Sequence, residues 1–171
     1  IAPLRDRVWT RDEEIEYALA RGIPVEARAD KPYSIDDNLY GRAIEAGVLE
    51  DPWEAPPEDA FELTASPLDS PTPTEVVIAF EHGLPSALDG EELPLHELVA
   101  ALNERAGAFG IGRIDMIENR AVGIKSREVY EAPAALVLIE AHLALEELIL
   151  TRAELQEKRR LEDRWATLVY E

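Results

Sequence analysis

The side chains best suited to chemistry are concentrated in one segment, residues 112–130. Acidic, basic and hydroxyl groups occur together there in Glu118, Arg120, Lys125, Ser126, Arg127 and Tyr130. A zwitterionic small molecule needs such a mixture, because its ammonium pairs with a carboxylate and its carboxylate accepts hydrogen bonds from hydroxyl or cationic groups. The same spacing is also typical of a hairpin with an ion-paired surface, so both interpretations stay open at this point.

Other motifs for metals and cofactors are weak. Gly110 and Gly112 supply two glycines of a dinucleotide-binding loop, but the third is missing and a strand pattern follows, which indicates a glycine turn. The sequence has no Walker-type phosphate loop and no cysteine, and its three histidines are too far apart for zinc-site spacing. We therefore predict no metal site, no cofactor-binding loop and no catalytic residue in this chain.

Local signals predict the elements that must position these groups. Four helices are predicted. Two begin with capping boxes at Thr10 and Thr151, and two begin at Pro94 and Pro133. The helix that begins at Pro133 is expected to end near residue 150. Runs at 75–80, 84–88 and 111–122 have strand character, and we predict antiparallel pairing for the first two. The segment 31–38 is predicted to be extended and to lead into a turn or a short helix capped by Ser34. The pattern favours an α+β fold with antiparallel hairpins packed against amphipathic helices.

The charge of the chain is negative and unevenly distributed. Seventeen Lys plus Arg against 36 Asp plus Glu give a net charge of −19, and residues 43–104 contain fifteen acids and no Lys or Arg. A general nucleic-acid binder is excluded by this balance, because such proteins neutralise phosphates with clustered basic residues. No apolar run is long enough to span a membrane, so we expect no membrane contact.

Six of the twelve prolines lie between Pro52 and Pro73. Periodicity is lost over residues 47–74, so we predict a long irregular excursion there, followed by a helical part over about 133–170. The chain starts at Ile1 and its only methionine is Met116, from which we expect it to be part of a longer polypeptide.

Several ordered motifs carry a family resemblance. They are KPYSIDDNL at 31–39, GVLEDPW at 47–53, GRIDMIENR at 112–120, GIKSR at 123–127, VYEAP at 129–133 and LVY at 168–170. In this order they resemble the second half of argininosuccinate synthase, and the resemblance extends over nearly the whole chain, from about Ile1 to Tyr170. The chain is therefore expected to be one synthetase domain, residues 1–171, without the N-terminal nucleotide-binding domain of the family.

The resemblance implies part of an ATP-dependent ligase of arginine biosynthesis and the urea cycle. That enzyme condenses citrulline and aspartate to argininosuccinate and releases AMP and pyrophosphate. ATP, with Mg, would be bound mainly by the N-terminal domain, so the resemblance implies a chain that contributes citrulline binding and is inactive alone. It further implies a cytoplasmic enzyme that forms a homo-oligomer, a tetramer.

Carried over motif by motif, the resemblance assigns citrulline binding to Ser34, Glu118 and Tyr130. Glu118 would pair with the ammonium of citrulline, and the two hydroxyls would bind the amino-acid end. Ala43 departs from the pattern, since many relatives have a second ligand-binding serine there. Lys125 and Arg127 are candidates for charge stabilisation at the phosphates.

Two other functions are compatible with the sequence. The acidic stretch between Arg42 and Arg105 would suit a non-catalytic domain that docks a basic protein. The amphipathic segment 151–170 would suit an oligomerisation element that packs against a neighbouring protomer.

Overall fold

The computed structural model describes residues 8–24, 33–69 and 72–170. Within these ranges the chain forms two antiparallel sheets, of four and three strands, together with four α-helices. The predicted α+β class is confirmed. Residues 31 and 32, the first two of the KPYSIDDNL motif, lie outside the described part of the chain.

The larger sheet has the strand order β1-β2-β7-β6. Its strands are β1 (Ser34–Asn38), β2 (Gly41–Glu45), β6 (Arg113–Asn119) and β7 (Lys125–Glu131), and all neighbours are antiparallel. The predicted extended segment is confirmed over residues 34–38, which pair with β2 as a strand and lead into a turn at residues 39–40. The alternative, a short helix capped by Ser34, is wrong. Tertiary pairing overrides the capping preference of a serine, since it satisfies the backbone groups along the whole segment.

One face of this sheet is covered by residues 47–69, the described part of the acidic, proline-rich stretch, which we call the covering segment. That segment contains no α-helix or strand between its 3₁₀ turns Gly47–Glu50, Glu58–Ala60 and Pro67–Asp69. Leu49 and Ala60 pack there against Tyr33, Ile44 and Val129 in a buried cluster. The segment is therefore fixed to the sheet by apolar burial although its backbone is irregular.

A buried carboxylate adds polar anchoring under the same segment. Glu131 at the end of β7 has no exposed surface, and it accepts backbone N–H bonds from Glu62, Leu63 and Thr64 at 2.9–3.1 Å. Its Oε1 also accepts the Thr64 hydroxyl at 2.7 Å. These bonds satisfy donors that an irregular segment cannot pair within itself.

The smaller sheet lies with two helices around a second core. Its strands are β3 (Ile78–Glu81), β4 (Leu84–Leu88) and β5 (Glu91–Glu92), and the predicted antiparallel pairing of the first two is confirmed. Helices α2 (Leu95–Gly107) and α3 (Pro133–Ile149) pack against them. Their buried cluster consists of Leu88, Leu98, Val99, Leu102 and Ala134.

The remaining helices are α1 (Arg11–Ala20) and α4 (Arg152–Tyr170). Both predicted capping boxes are present: Thr10 bonds Glu13 in α1, and the Thr151 hydroxyl bonds Glu154 at 2.7 Å in α4. No helix in the described ranges is long and apolar enough to cross a membrane.

Candidate functional site

The register of the larger sheet brings the predicted site residues to one face. Ser34 is opposite Glu45, Ala43 is opposite Tyr130, and Glu118 is opposite Ser126. Directly paired residues and alternate residues of a strand project to the same side of a sheet. Ser34, Ala43, Glu118 and Tyr130 therefore share a surface, which we call the Glu118 face.

The Glu118 face is accessible but not fully exposed. Ser34, Ala43 and Tyr130 are half-buried, and the side chain of Glu118 is 22% exposed. A ligand can therefore reach these side chains from the solvent.

A guanidinium crosses this face. Arg120 follows β6, and its Nε donates to the Ser126 hydroxyl at 2.8 Å. Its Nη2 donates to Glu45 on β2 at 2.5 Å and also to Glu128 on β7. Its Nε lies 3.9 Å from the Glu118 carboxylate. Arg120 thus joins three strands through one side chain.

Sequence reasoning placed Arg120 in a basic cluster but missed Glu45 and Glu128 as its partners. Glu128 is buried, with 4% of its side chain exposed, and also accepts the Ser126 hydroxyl at 2.6 Å. The alternation of residues 126, 128 and 130 along β7 could have indicated a shared face. Nothing in the sequence could have placed Glu45, which lies on a strand more than 70 residues earlier.

Electrostatics keep the hydroxyl of Tyr130 protonated. Burial raises its pKa, and the nearby charges of Glu118 and Glu128 raise it further, against the opposing effect of Arg120. A protonated phenol donates a hydrogen bond, so Tyr130 presents a donor to any anionic or carbonyl group on this face.

Lys125 and Arg127 lie on the opposite side of the sheet. Arg127 is opposite Ile117, and its guanidinium donates to both oxygens of Asp115 at 2.6–2.8 Å. It also donates to the backbone carbonyls of Pro52, at 3.0 Å, and Glu54. The Asp115 bond raises the pKa of Arg127 and the reciprocal bond lowers that of Asp115. The observed role of Arg127 is to fasten the 52–54 turn.

A cavity of about 400 Å³ lies beside Lys125 and Arg127. Its other lining residues come from the covering segment and the β6–β7 pair: Glu50, Pro52, Trp53, Ile117 and Ser126. The structure therefore does not bring Lys125 and Arg127 together with Ser34, Glu118 and Tyr130.

The two glycines before β6 have the role of a turn. A Cβ on Gly112, whose φ is 119°, would lie 2.6 Å from the Pro133 backbone. Residues 113–119 then form a strand, whereas a dinucleotide loop would be followed by a helix.

Fold and site together define an α+β domain with a mixed-charge sheet surface, whose carboxylate, guanidinium and hydroxyl groups can pair with the charged groups of a small zwitterion. A known sequence family, described as the arginosuccinate synthase C-terminal domain, matches residues 33–171. The chain belongs to the argininosuccinate synthase family and corresponds to its C-terminal domain.

Three relatives illustrate the similarity. The argininosuccinate synthase of Methanopyrus kandleri is 59% identical over 100% of this chain and 43% of its own length. That of Rubrobacter xylanophilus is 58% identical over 100% of the chain and 42% of its own length. That of Bacillus subtilis is 54% identical over 99% of the chain and 42% of its own length. The chain thus spans about two-fifths of the length of these relatives.

Proposed function

We propose that this chain supplies citrulline-binding residues to an ATP-dependent ligase. The ligase would condense citrulline with aspartate to give argininosuccinate, AMP and pyrophosphate. The observation that carries the proposal is the position of Ser34, Glu118 and Tyr130 on one sheet face, although they come from β1, β6 and β7. Membership of the argininosuccinate synthase family supports the same function.

The chemistry of the three side chains fits an α-amino acid. The carboxylate of Glu118 would receive the α-ammonium, and the hydroxyls of Ser34 and Tyr130 would bind the amino-acid end. None of them needs to act as an acid or a base. Holding the ureido oxygen in line with the α-phosphate of ATP would supply the catalytic gain, and positioning of this kind contributes roughly 7 to 11 kcal/mol.

ATP, with Mg, would be held mainly by residues outside this chain, and we expect the chain to be inactive alone. Charge stabilisation of the phosphates by Lys125 and Arg127 stays a prediction. It would require the phosphates to approach the side of the sheet opposite Glu118, where Arg127 already pairs with Asp115.

The test uses a chimera in which this chain replaces the matching residues of the Bacillus subtilis argininosuccinate synthase. Glu118→Gln keeps the shape of the side chain but removes its charge. A hydrogen bond to a charged group contributes about 1.5 to 3 kcal/mol, so the KM for citrulline should rise roughly tenfold or more. The KM values for aspartate and ATP should change little.

Glu97→Gln is the matched control, because Glu97 is an exposed acid on α2 outside the larger sheet. It should leave all three KM values unchanged. An unchanged citrulline KM in Glu118→Gln would remove Glu118 from the site and overturn the proposed assignment.

A second function, oligomerisation, is favoured by the surface of α4. Four large apolar side chains on its last turns are 57–69% exposed: Leu161, Trp165, Leu168 and Val169. Exposed apolar patches on helices commonly mark protein interfaces. We propose that they contribute to a homo-oligomer, a tetramer in the complete enzyme. Light scattering should show association of the chain and its loss in Trp165→Glu.

A further inference from the structure

The Glu118 face contains a row of acids with one cation between them. Glu45, Glu128 and Glu118 come from β2, β7 and β6, and Arg120 contacts all three. The strand residues that project on this face, within the described ranges, include no Lys or Arg. Among the described residues of the larger sheet and its β6–β7 turn, Arg120 therefore supplies the positive charge that contacts this row.

The row lies where the amino-acid end of a ligand would rest. Glu45 is directly opposite Ser34, and Glu118 is directly opposite Ser126. A ligand that reaches from the Ser34 hydroxyl to the Glu118 carboxylate must pass over Glu45 and Glu128. Its ammonium would be attracted by this row, but its carboxylate would be repelled unless a cation compensated the acids.

The guanidinium has a donor left for a ligand. Nε is used by Ser126, and Nη2 by Glu45 and Glu128. Nη1 makes no hydrogen bond to the residues that the structure describes, and the side chain is 36% exposed. The partners of Nε and Nη2 fix the plane of the guanidinium, so that Nη1 is held in place without a ligand.

We propose that Arg120 is a specificity-determining residue, which allows the α-carboxylate of an amino-acid ligand to lie against an otherwise acidic row. The inference rests on the proposed function and deepens it, because it names the group that distinguishes an α-amino acid from an amine without a carboxylate. Glu118 selects for the ammonium, and Arg120 selects for the carboxylate.

The experiment compares citrulline with citrulline amide, in which a neutral carboxamide replaces the α-carboxylate. The measured quantity is the ratio of kcat/KM for the two compounds in the Bacillus subtilis chimera. The parent should prefer citrulline. In Arg120→Gln the preference should fall roughly tenfold or reverse, because the acids then repel the carboxylate. Arg120→Lys keeps the charge and should keep most of the preference.

Two further variants separate this role from a structural one. Glu128→Gln removes one negative charge from the row and should increase the preference for citrulline, a change of the opposite sign. Arg113→Gln is the control, because Arg113 lies on β6 but faces the other way and pairs with Glu58 at 2.9 Å. It should lower stability and leave the ratio unchanged.

The outcomes are distinguishable. Equal losses for citrulline and its amide in Arg120→Gln would overturn the inference. If circular dichroism shows that Arg120→Gln is unfolded, Glu128→Gln decides: an increased preference supports the inference, and an unchanged ratio overturns it. A parent chimera that neither turns over citrulline nor binds it in calorimetry would instead overturn the proposed function, and this inference with it.

Discussion

Glu131 and Arg42 form an ion pair at 2.8 Å inside the protein, between the end of β7 and the neighbouring strand β2. The side chain of Glu131 has no exposed surface and that of Arg42 is 7% exposed. The Glu131 carboxylate also accepts hydrogen bonds from the Thr64 hydroxyl and from backbone N–H groups of the covering segment. One carboxylate thus connects the two strands and the irregular segment that covers them.

Substitution of Glu131 by Gln should be strongly destabilising. An amide cannot accept all of these bonds, and Arg42 loses its most buried partner. Breaking a buried pair by changing one partner costs about 3 to 5 kcal/mol. Urea denaturation should show this loss in the free energy of unfolding. A change below about 1 kcal/mol, the level of an exposed pair, would contradict the prediction.

Gly107→Ala should also destabilise the protein, although alanine is the better helix former. A Cβ at position 107 would lie 2.1 Å from the carbonyl oxygen of Leu63. Either the end of α2 or the covering segment must therefore move. Overpacking costs about 1 to 3 kcal/mol, which exceeds the gain of about 1 kcal/mol in helix propensity. Thermal unfolding would measure the difference. Ala100→Gly, at an exposed position of α2, is the control that isolates helix propensity.

Asp115→Asn should remove part of the dependence of stability on pH. The hydrogen bond from Arg127 lowers the pKa of Asp115 in the folded state. Its stabilisation is therefore complete above the pKa of the unfolded chain, about 3.9, and is lost as the pH falls through the lower folded value.

The free energies of unfolding of the parent and Asp115→Asn should therefore differ most near neutral pH and converge in acid. Solvent screening keeps the difference modest, because the side chain of Asp115 is 42% exposed. A difference that stayed constant from neutral pH to below about pH 3 would refute the pairing as its cause.

Ala43→Ser should improve citrulline binding if the proposed function holds. Position 43 is directly opposite Tyr130 on the Glu118 face, so a serine would add a hydroxyl beside the ligand. A net hydrogen bond contributes about 0.5 to 1.5 kcal/mol, which corresponds to a citrulline KM lower by roughly two- to tenfold. Ala79→Ser on β3, outside the larger sheet, serves as the control. A raised KM would argue against a ligand at this position.

Local sequence determined much of the fold. The helix starts at Thr10, Pro94, Pro133 and Thr151 were predictable, because a cap or an N-terminal proline acts within a few residues of the chain. The β3–β4 hairpin and β6 were predictable from other local signals, the runs of strand-forming residues and the turn residues beside them. The extended conformation after Ser34 was predictable too, but its place in a sheet was not, since that depends on a partner that its own residues do not specify.

The sequence also named the residues of the candidate site, but only tertiary structure decided how they are grouped. A strand alternates its side chains between two faces, so neighbours in sequence are separated and distant residues are joined. Tyr130 and Arg127, three residues apart, therefore lie on opposite sides of the sheet, while Arg120, at the end of β6, reaches Glu45 on β2 across the intervening strand β7. The choice of face depends on which side the covering segment buries, and that follows from apolar packing and from Glu131 rather than from any local motif.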